Sequence, residues 1–85
     1  MPSAYVLLNC ELGCEAVVID EIRTLSHVSE VNRVYGSSYD MIIKVSAETT
    51  DRLNQIISSK IRRIEKVKAT QTMMVIDGQQ VGKSN

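Results

Sequence analysis

The sequence of 85 residues predicts a single α+β domain in which two helices cover one face of a four-stranded antiparallel sheet. Four segments have the composition and alternation of strands, and two have apolar residues at helical spacing. Their order along the chain is β-α-β-β-α-β, symmetrical about a central Gly-Ser-Ser break. Right-handed crossovers turn that order into the ferredoxin-like arrangement.

The first half of the chain supplies one strand and one helix. Residues 4–10 are expected to form the first strand, because this run is β-prone and apolar on both faces at its start. Gly13 lies in the break that follows. From Cys14 the period becomes helical, with Glu15 in the first turn, where the helix dipole favours an acid. The buried stripe of this helix is predicted to contain Val18, Ile19, Ile22 and Leu25.

A β-hairpin occupies the middle of the chain. Residues 28–35 and 39–46 read as strands, and Gly36 supplies the backbone freedom that a tight turn between them needs. Strict alternation places Val28 and Val31 on opposite faces of the earlier strand. In the later strand it separates one set of side chains, Tyr39, Met41, Ile43 and Val45, from another, Asp40, Ile42 and Lys44.

The second half repeats the strand-helix-strand pattern. Thr49 or Thr50 can cap the second helix. Its buried stripe is predicted to contain Leu53, Ile56, Ile57, Ile61 and Ile64. Residues 67–76 read as the last strand, which completes a domain over residues 1–76. The polar tail, residues 77–85, is expected to be disordered.

Apolar residues occur on both faces of the predicted strands, although two helices can cover only one face. Tyr5 and Leu7 oppose Val6 and Leu8 in the first strand, for example. We therefore expect a second copy of the chain to pack its sheet on the uncovered face and form a homodimer. The alternative is that the extra apolar side chains are scattered over the surface of a monomer.

Charge and hydropathy exclude several classes of protein. Ten basic and ten acidic residues give a formal net charge of zero, which argues against direct binding of nucleic acid by this chain. No apolar run is long enough to span a bilayer, and the N-terminus lacks the pattern of a signal peptide. The sequence therefore predicts a cytoplasmic protein without a membrane partner.

The sequence contains no constellation that is typical of an enzyme. His27 is the single histidine, and there is no phosphate-binding loop, zinc spacing or pair of catalytic carboxylates. We therefore expect neither an enzyme nor a cofactor or resident metal. The basic residues near the second helix's end are interpreted as a solvated surface: Lys60, Arg62, Arg63, Lys66 and Lys68.

Cys10 and Cys14 support an alternative function. They lie where the first strand meets the first helix, the place where ferredoxin-like metal carriers bind soft metals through a Cys-x-x-Cys pair. The spacing here is Cys-x-x-x-Cys. Two thiols that pack as small hydrophobes are the simpler interpretation, and a soft-metal or redox carrier is the alternative function.

Two polar segments could bind a small zwitterion. The turn contributes hydroxyls, free peptide amides and the carboxylate of Asp40, and Thr70 and Thr72 project from one face of the last strand. Amides and hydroxyls would suit a ligand carboxylate, and Asp40 would suit an ammonium.

These segments resemble the effector-binding domain of the Lrp/AsnC regulators. The matching pattern is Gly36, then Tyr39-Asp40 followed by Met-Ile-Ile-Lys-Val, then an apolar helix, then Val67-x-x-Thr-x-Thr. Gly13 before the first helix and the segment Val-Ser-Glu-Val at 28–31 also match, so the resemblance extends from about residue 4 to 76. The resemblance implies ligand contacts from Gly36, Tyr39, Asp40, Thr70 and Thr72, with Ser37 and Ser38 as neighbours in the turn.

The resemblance also implies assembly and a regulatory role. Domains of this kind form dimers through their sheets and then rings, often octamers, with amino acids held between dimers. The turn here is one residue longer between glycine and Tyr-Asp than is usual, and no helix-turn-helix precedes the first strand. The chain therefore resembles a stand-alone, amino-acid-sensing form that modulates a full-length regulator by co-assembly.

Overall fold

The computed structural model of the chain describes residues 1–76, and it confirms the predicted β-α-β-β-α-β order. The elements are β1 (Ser3–Cys10), α1 (Glu15–Arg23), β2 (Val28–Arg33), β3 (Met41–Ser46), α2 (Thr50–Ile56), a π-helical turn (Ile57–Ile61) that continues α2, and β4 (Val67–Met74). Neighbouring strands are antiparallel in the order β2-β3-β1-β4, so the fold is ferredoxin-like. The tail, whose disorder was predicted, lies outside the described residues.

The core lies between the helices and one face of the sheet. Alternate residues of β1 and β3 point towards the helices, with the opposite set on the other face. The stripe predicted for the second helix is buried throughout, and Val18 and Ile22 of α1 are fully buried. The sheet side of the core contains Ala4, Val6, Leu8, Cys10, Met41, Ile43 and Val45.

Local sequence explains where the helices begin. Gly13 has a φ of +83°, a left-handed conformation that lets the chain turn from β1 into α1. Thr49 caps α2, because its Oγ1 accepts a hydrogen bond from the Arg52 N–H at 3.1 Å. Among residues 1–76, no helix is long and apolar enough to cross a membrane.

The strands of the hairpin differ from the prediction in length and register. β2 ends at Arg33 and β3 begins at Met41, so residues 34–40 form the connection. A bulge between Val28 and Glu30 interrupts the pairing with β3. Because a bulge adds one residue to one strand, Val28 and Val31 both pack against the core, and their predicted placement on opposite faces is wrong.

The π-helical turn after α2 was not predicted. Its defining hydrogen bond runs from the Arg62 N–H to the Ile57 carbonyl at 3.0 Å, five residues back. The hydroxyl of Ser58 donates to the Asn54 carbonyl at 2.9 Å, and that of Ser59 donates to the Gln55 carbonyl at 2.6 Å. Serine hydroxyls that bond back to the preceding turn bend helices, so the Ser-Ser pair is consistent with the widened turn.

The face of the sheet that points away from the helices carries several apolar side chains. We call it the open face, and its apolar members are Tyr5, Leu7, Ile42 and Met73. Met73 is 45% exposed, and the Lys44 Nζ lies 5.6 Å from the centre of the Tyr5 ring. Both helices pack on the other face, as predicted.

Candidate functional site

The predicted ligand turn is closed by its own hydrogen bonds. Gly36 has a φ of +108°, which L side chains rarely adopt. The Val34 N–H donates to the Asp40 carbonyl at 2.9 Å, and the Tyr39 N–H donates to the Ser37 hydroxyl at 3.1 Å. The Asp40 N–H donates to the Leu8 carbonyl of β1 at 3.0 Å. The amides of Tyr39 and Asp40 therefore already have partners, while Gly36, Ser37 and Ser38 are exposed.

The carboxylate of Asp40 points towards the end of β1. Its Oδ2 accepts a hydrogen bond from the Cys10 N–H at 3.2 Å. The Cys10 Sγ, a carboxylate oxygen of Glu15 and one of Asp40 all lie within 4.8 Å of one another. Cys14 is not a member of this group, although it belongs to the same strand-helix junction. We call Cys10, Glu15 and Asp40 the thiol-carboxylate cluster.

The surroundings of Cys10 make its thiol harder to deprotonate. Burial raises the pKa of the Cys10 thiol, and the negative charges of Glu15 and Asp40 raise it further, while Arg33 opposes them. Cys10 is only 6% exposed and behaves as a protonated core residue at neutral pH. The burial of Cys10 agrees with its interpretation as a small hydrophobe. Cys10, Glu15 and Asp40 are the residues that could together hold a cation.

Thr70 and Thr72 lie on the helix-facing side of β4. They pair with Leu8 and Val6 of β1, whose side chains point into the core. β4 is an edge strand, so the two threonines are only partly covered. The Thr72 Oγ1 is nevertheless buried and has no hydrogen-bond partner among the described residues.

Thr72 lines a cleft between β4 and the second helix. The cleft has a volume of about 390 Å³. The residues that line it are Asn54, Ile57, Ser58, Arg62, Thr72 and Met74. Arg62 was interpreted as part of a solvated surface; it is exposed, as predicted, and also lines this cleft.

Most residues of this cleft were not predicted from the sequence. Asn54, Ser58 and Arg62 are spaced by four residues, which places them along one side of a helix. That spacing was a usable signal, but it does not indicate which strand the side faces. The π-helical turn, which contains Ile57 and Ser58, gave no sequence signal of its own.

The two halves of the predicted ligand site lie on opposite sides of β1. The Asp40 amide bonds to Leu8 from the β3 side, and Thr70 pairs with the same residue from the β4 side. Neighbouring strands are about 4.8 Å apart, so the backbones of Asp40 and Thr70 are separated by about 10 Å. Thr72 lines the cleft and Asp40 does not. One protomer therefore does not bring Asp40 and Thr72 into one pocket.

The family is decided by a match that covers nearly the whole chain. Residues 3–80 match the model of the Lrp/AsnC ligand binding domain. The chain belongs to this family. The family is regulatory rather than catalytic, so the chain is a regulatory effector-binding module.

Solved structures agree with this assignment. The crystal structure of FFRP-DM1 is 36% identical, with a TM-score of 0.85 over 89% of this chain and 100% of that one. Escherichia coli AsnC is 19% identical, with a TM-score of 0.87 over 96% of this chain and 55% of that one. A transcriptional regulator of Neisseria meningitidis, NMB0573, solved in complex with L-Met, is 12% identical, with a TM-score of 0.83 over 99% of this chain and 55% of that one.

No match was found among proteins with curated functions. The two regulators are similar to this chain over about half of their length. At 19% and 12% identity they support the fold alone. Within residues 1–76, the elements are those of the ligand-binding domain, without a helix-turn-helix.

Proposed function

We propose that the chain is a sensing and assembly module that binds a small amino acid where protomers meet. Membership of a ligand-binding family of regulators is the observation that carries this proposal. The Neisseria meningitidis regulator NMB0573, which has the same fold, was solved with L-Met bound. The proposed contacts are Gly36, Ser37, Ser38, Tyr39, Asp40, Thr70 and Thr72.

The separation of Asp40 from the threonines supports a site that two chains share. Because β1 lies between them, a ligand that contacts both kinds of residue needs Asp40 from one chain and Thr70 or Thr72 from another. Such a ligand binds only the assembled form. By linkage, it stabilises whichever assembly contains the complete site.

The open face supports a homodimer as the building unit. Tyr5, Leu7, Ile42 and Met73 form an apolar surface that a second sheet would cover. The Asn9 Oδ1 is buried and has no hydrogen-bond partner within residues 1–76, and Asn9 is on the same face, where a second chain could supply a donor. In the proposed assembly, dimers join into a ring of eight chains, and the ligand lies between dimers. Co-assembly with a full-length regulator would carry the signal to DNA, in the cytoplasm.

A ligand panel tests the proposal. Native mass spectrometry and thermal shift are measured with each of the common amino acids at one protein concentration. We expect at least one of them to raise the melting temperature and to increase the population of the larger assembly. Asp40→Asn and Thr70→Val should abolish both effects, and Asp20→Asn, an exposed substitution on α1, should not. If no amino acid changes either measurement, the sensing role is refuted.

The thiol-carboxylate cluster favours a divalent-metal carrier as the second candidate function. A sulfur and two carboxylate oxygens within 4.8 Å of one another can bind one borderline-soft ion such as Zn²⁺. The N-terminal end of α1 opposes a cation there, because its dipole is positive. Calorimetric titration with Zn²⁺ tests this function. Binding that Cys10→Ser removes and Cys14→Ser leaves intact would support it, and the absence of binding would exclude it.

A further inference from the structure

The free edge of β2 carries a small open cavity that is separate from the proposed amino-acid site. Its volume of about 290 Å³ is close to the lower limit of about 300 Å³ for ligand pockets. Its lining comes from the end of α1 and from β2, as Arg23, Val28, Ser29, Glu30 and Val31. Glu30 pairs with Lys44, which is four residues along the chain from Asp40. At about 3.4 Å per residue, the cavity lies roughly 14 Å from the predicted ligand turn.

A β-bulge shapes this cavity. The pairing of β2 with β3 shifts between Val28 and Glu30, so Ser29 is the additional residue. Bulges at the edge of a sheet re-aim side chains, and they are frequent beside functional sites. Here Val28 and Val31 both pack against the core, while Glu30 is on the open face, opposite Lys44. The lining therefore comes from both faces of the sheet, and the cavity reaches around its edge.

The two charged residues of the cavity have opposite signs and are not paired with each other. Arg23 belongs to the helical layer and Glu30 to the open face, and both are exposed. Among residues 1–76, neither forms an ion pair within 4.0 Å. Lys44 is the cross-strand neighbour of Glu30, but its Nζ lies over the Tyr5 ring, 5.6 Å from the ring centre. A ligand could therefore meet both charges, with the edge of the sheet between them.

The backbone of β2 offers hydrogen bonds between those two charges. β2 is an edge strand of the sheet that residues 1–76 form, so the peptide groups on its outer side have no neighbouring strand. An extended peptide can add to such an edge through main-chain hydrogen bonds. Val28 and Val31, which are partly buried, give the cavity an apolar floor. An occupant with a peptide bond and two charged ends would match all of these features.

We propose that this cavity binds a short peptide with free termini, a dipeptide in the simplest case. The ammonium group pairs with Glu30, the carboxylate pairs with Arg23, and the peptide bond hydrogen-bonds to the edge of β2. Because an extended residue spans about 3.4 Å, the two charges of a dipeptide are about 7 Å apart. A free α-amino acid carries both charges on one carbon and has no peptide bond. The inference goes beyond the proposed function and does not depend on it.

Calorimetric titration of the full chain tests the choice of ligand. The probes are alanylalanine, the same dipeptide blocked at both termini by acetyl and amide groups, and δ-aminovalerate, which has the same chain length and both charges but no peptide bond. We expect alanylalanine to bind, the blocked dipeptide not to bind and δ-aminovalerate to bind more weakly. No binding of alanylalanine, or equally tight binding of either of the other probes, would overturn the inference.

Variants locate the binding in the cavity. Arg23→Gln and Glu30→Gln should each weaken binding of alanylalanine about fivefold, since each removes one charged contact at an exposed site. Both side chains are exposed, so the fold should tolerate the changes. Arg63→Gln and Glu65→Gln, exposed residues beyond the second helix, are the matched controls and should leave binding unchanged. Equal losses in the cavity and control variants would indicate non-specific attraction and refute the site.

Asp40→Asn separates this inference from the proposed function. Asp40 is outside the cavity, so this variant should bind alanylalanine as the unchanged protein does. Loss of that binding would place the dipeptide in the proposed amino-acid site and refute the inference. If amino acids bind and alanylalanine does not, the sensing role stands and the cavity is wrong. If alanylalanine binds and no amino acid does, the cavity stands and amino-acid sensing is wrong.

Discussion

Replacing Thr72 with valine is expected to stabilise the unliganded protein. The two side chains have nearly the same shape, so the substitution removes the buried oxygen, which has no partner in the described part of the chain, without opening a cavity. A buried hydroxyl without a hydrogen bond costs about 1–3 kcal/mol. Thr72 as a whole is only partly buried, so we expect a gain near the lower limit, about 1 kcal/mol.

The gain should be visible in thermal and chemical unfolding. For a domain of this size, about 1 kcal/mol corresponds to a rise in melting temperature of roughly 4–8 °C. Urea unfolding followed by circular dichroism gives the free energy, with the protein concentration held fixed because assembly contributes to stability. The denaturant slope should not change, since the native surface is the same.

Thr70→Val is the matched control. Thr70 is on the same face of β4, but its hydroxyl oxygen is not one of the buried polar atoms that lack a hydrogen-bond partner among the described residues. Its replacement should change the unfolding free energy by less than about 0.5 kcal/mol. If Thr72→Val left the free energy of unfolding unchanged, or lowered it relative to Thr70→Val, burial of the Thr72 hydroxyl would carry no energetic cost. That result would refute the expected stabilisation.

Three further substitutions test other parts of the structure. Gly36→Ala should destabilise the fold by about 1 kcal/mol or more in urea unfolding, because residues with a side chain rarely adopt the φ of +108° found at Gly36. No atom lies within 4 Å of the added carbon, so the cost comes from the backbone conformation and not from a clash. An unchanged urea midpoint would contradict this. Leu7→Glu on the open face should lower the mass in light scattering, whereas Val17→Glu on α1, 60% exposed, should not; equal masses would argue against packing through the sheet. Because the pKa of Cys10 is raised in the folded chain, its thiol keeps its proton at a pH where the unfolded chain has lost it. The contribution of this thiol to the free energy of unfolding should therefore be fully present below about pH 9 and fall as the pH rises further. Cys10→Ala should remove that loss of stability at alkaline pH, and a loss that persists would assign it to another group.

Periodicity was sufficient to predict the elements and the buried stripes. Leu53, Ile56, Ile57 and Ile61 share one side of the second helix whether its turns are regular or widened, and Ile64, just beyond the helix end, is buried with them. The prediction of their burial therefore did not depend on the local geometry. The same insensitivity explains why the π-helical turn was missed. A count of apolar spacings contains too little information to distinguish the two kinds of turn.

Alternation could not decide which face of the sheet meets the helices. Residues of both β1 faces are apolar, and only packing assigns Val6 and Leu8 to the core and Tyr5 and Leu7 to the open face. The bulge at Val28 was invisible for a related reason, since a strand pattern assumes uniform pairing.

Contacts between distant segments limited what could be said about the site. Asp40 was selected for its charge, but its bond to the Cys10 N–H joins residues thirty positions apart. Thr70 and Thr72 were placed on one face, and their position across β1 from Asp40 depends on the strand order. Spacing along the chain therefore identified the polar groups but not their partners.

The widened turn has a consequence for insertions and deletions. A π-helical turn absorbs one additional residue while the flanking segments keep their orientation, so Leu53 and Ile56 before it, Ile61 at its end and Ile64 after it all remain in the core. Deleting Ser59 should restore a regular helix with the same buried side and narrow the cleft beside Thr72. A change of one residue in length is thus a short route by which chains of this architecture could gain or lose a cleft beside the sheet without altering the strands.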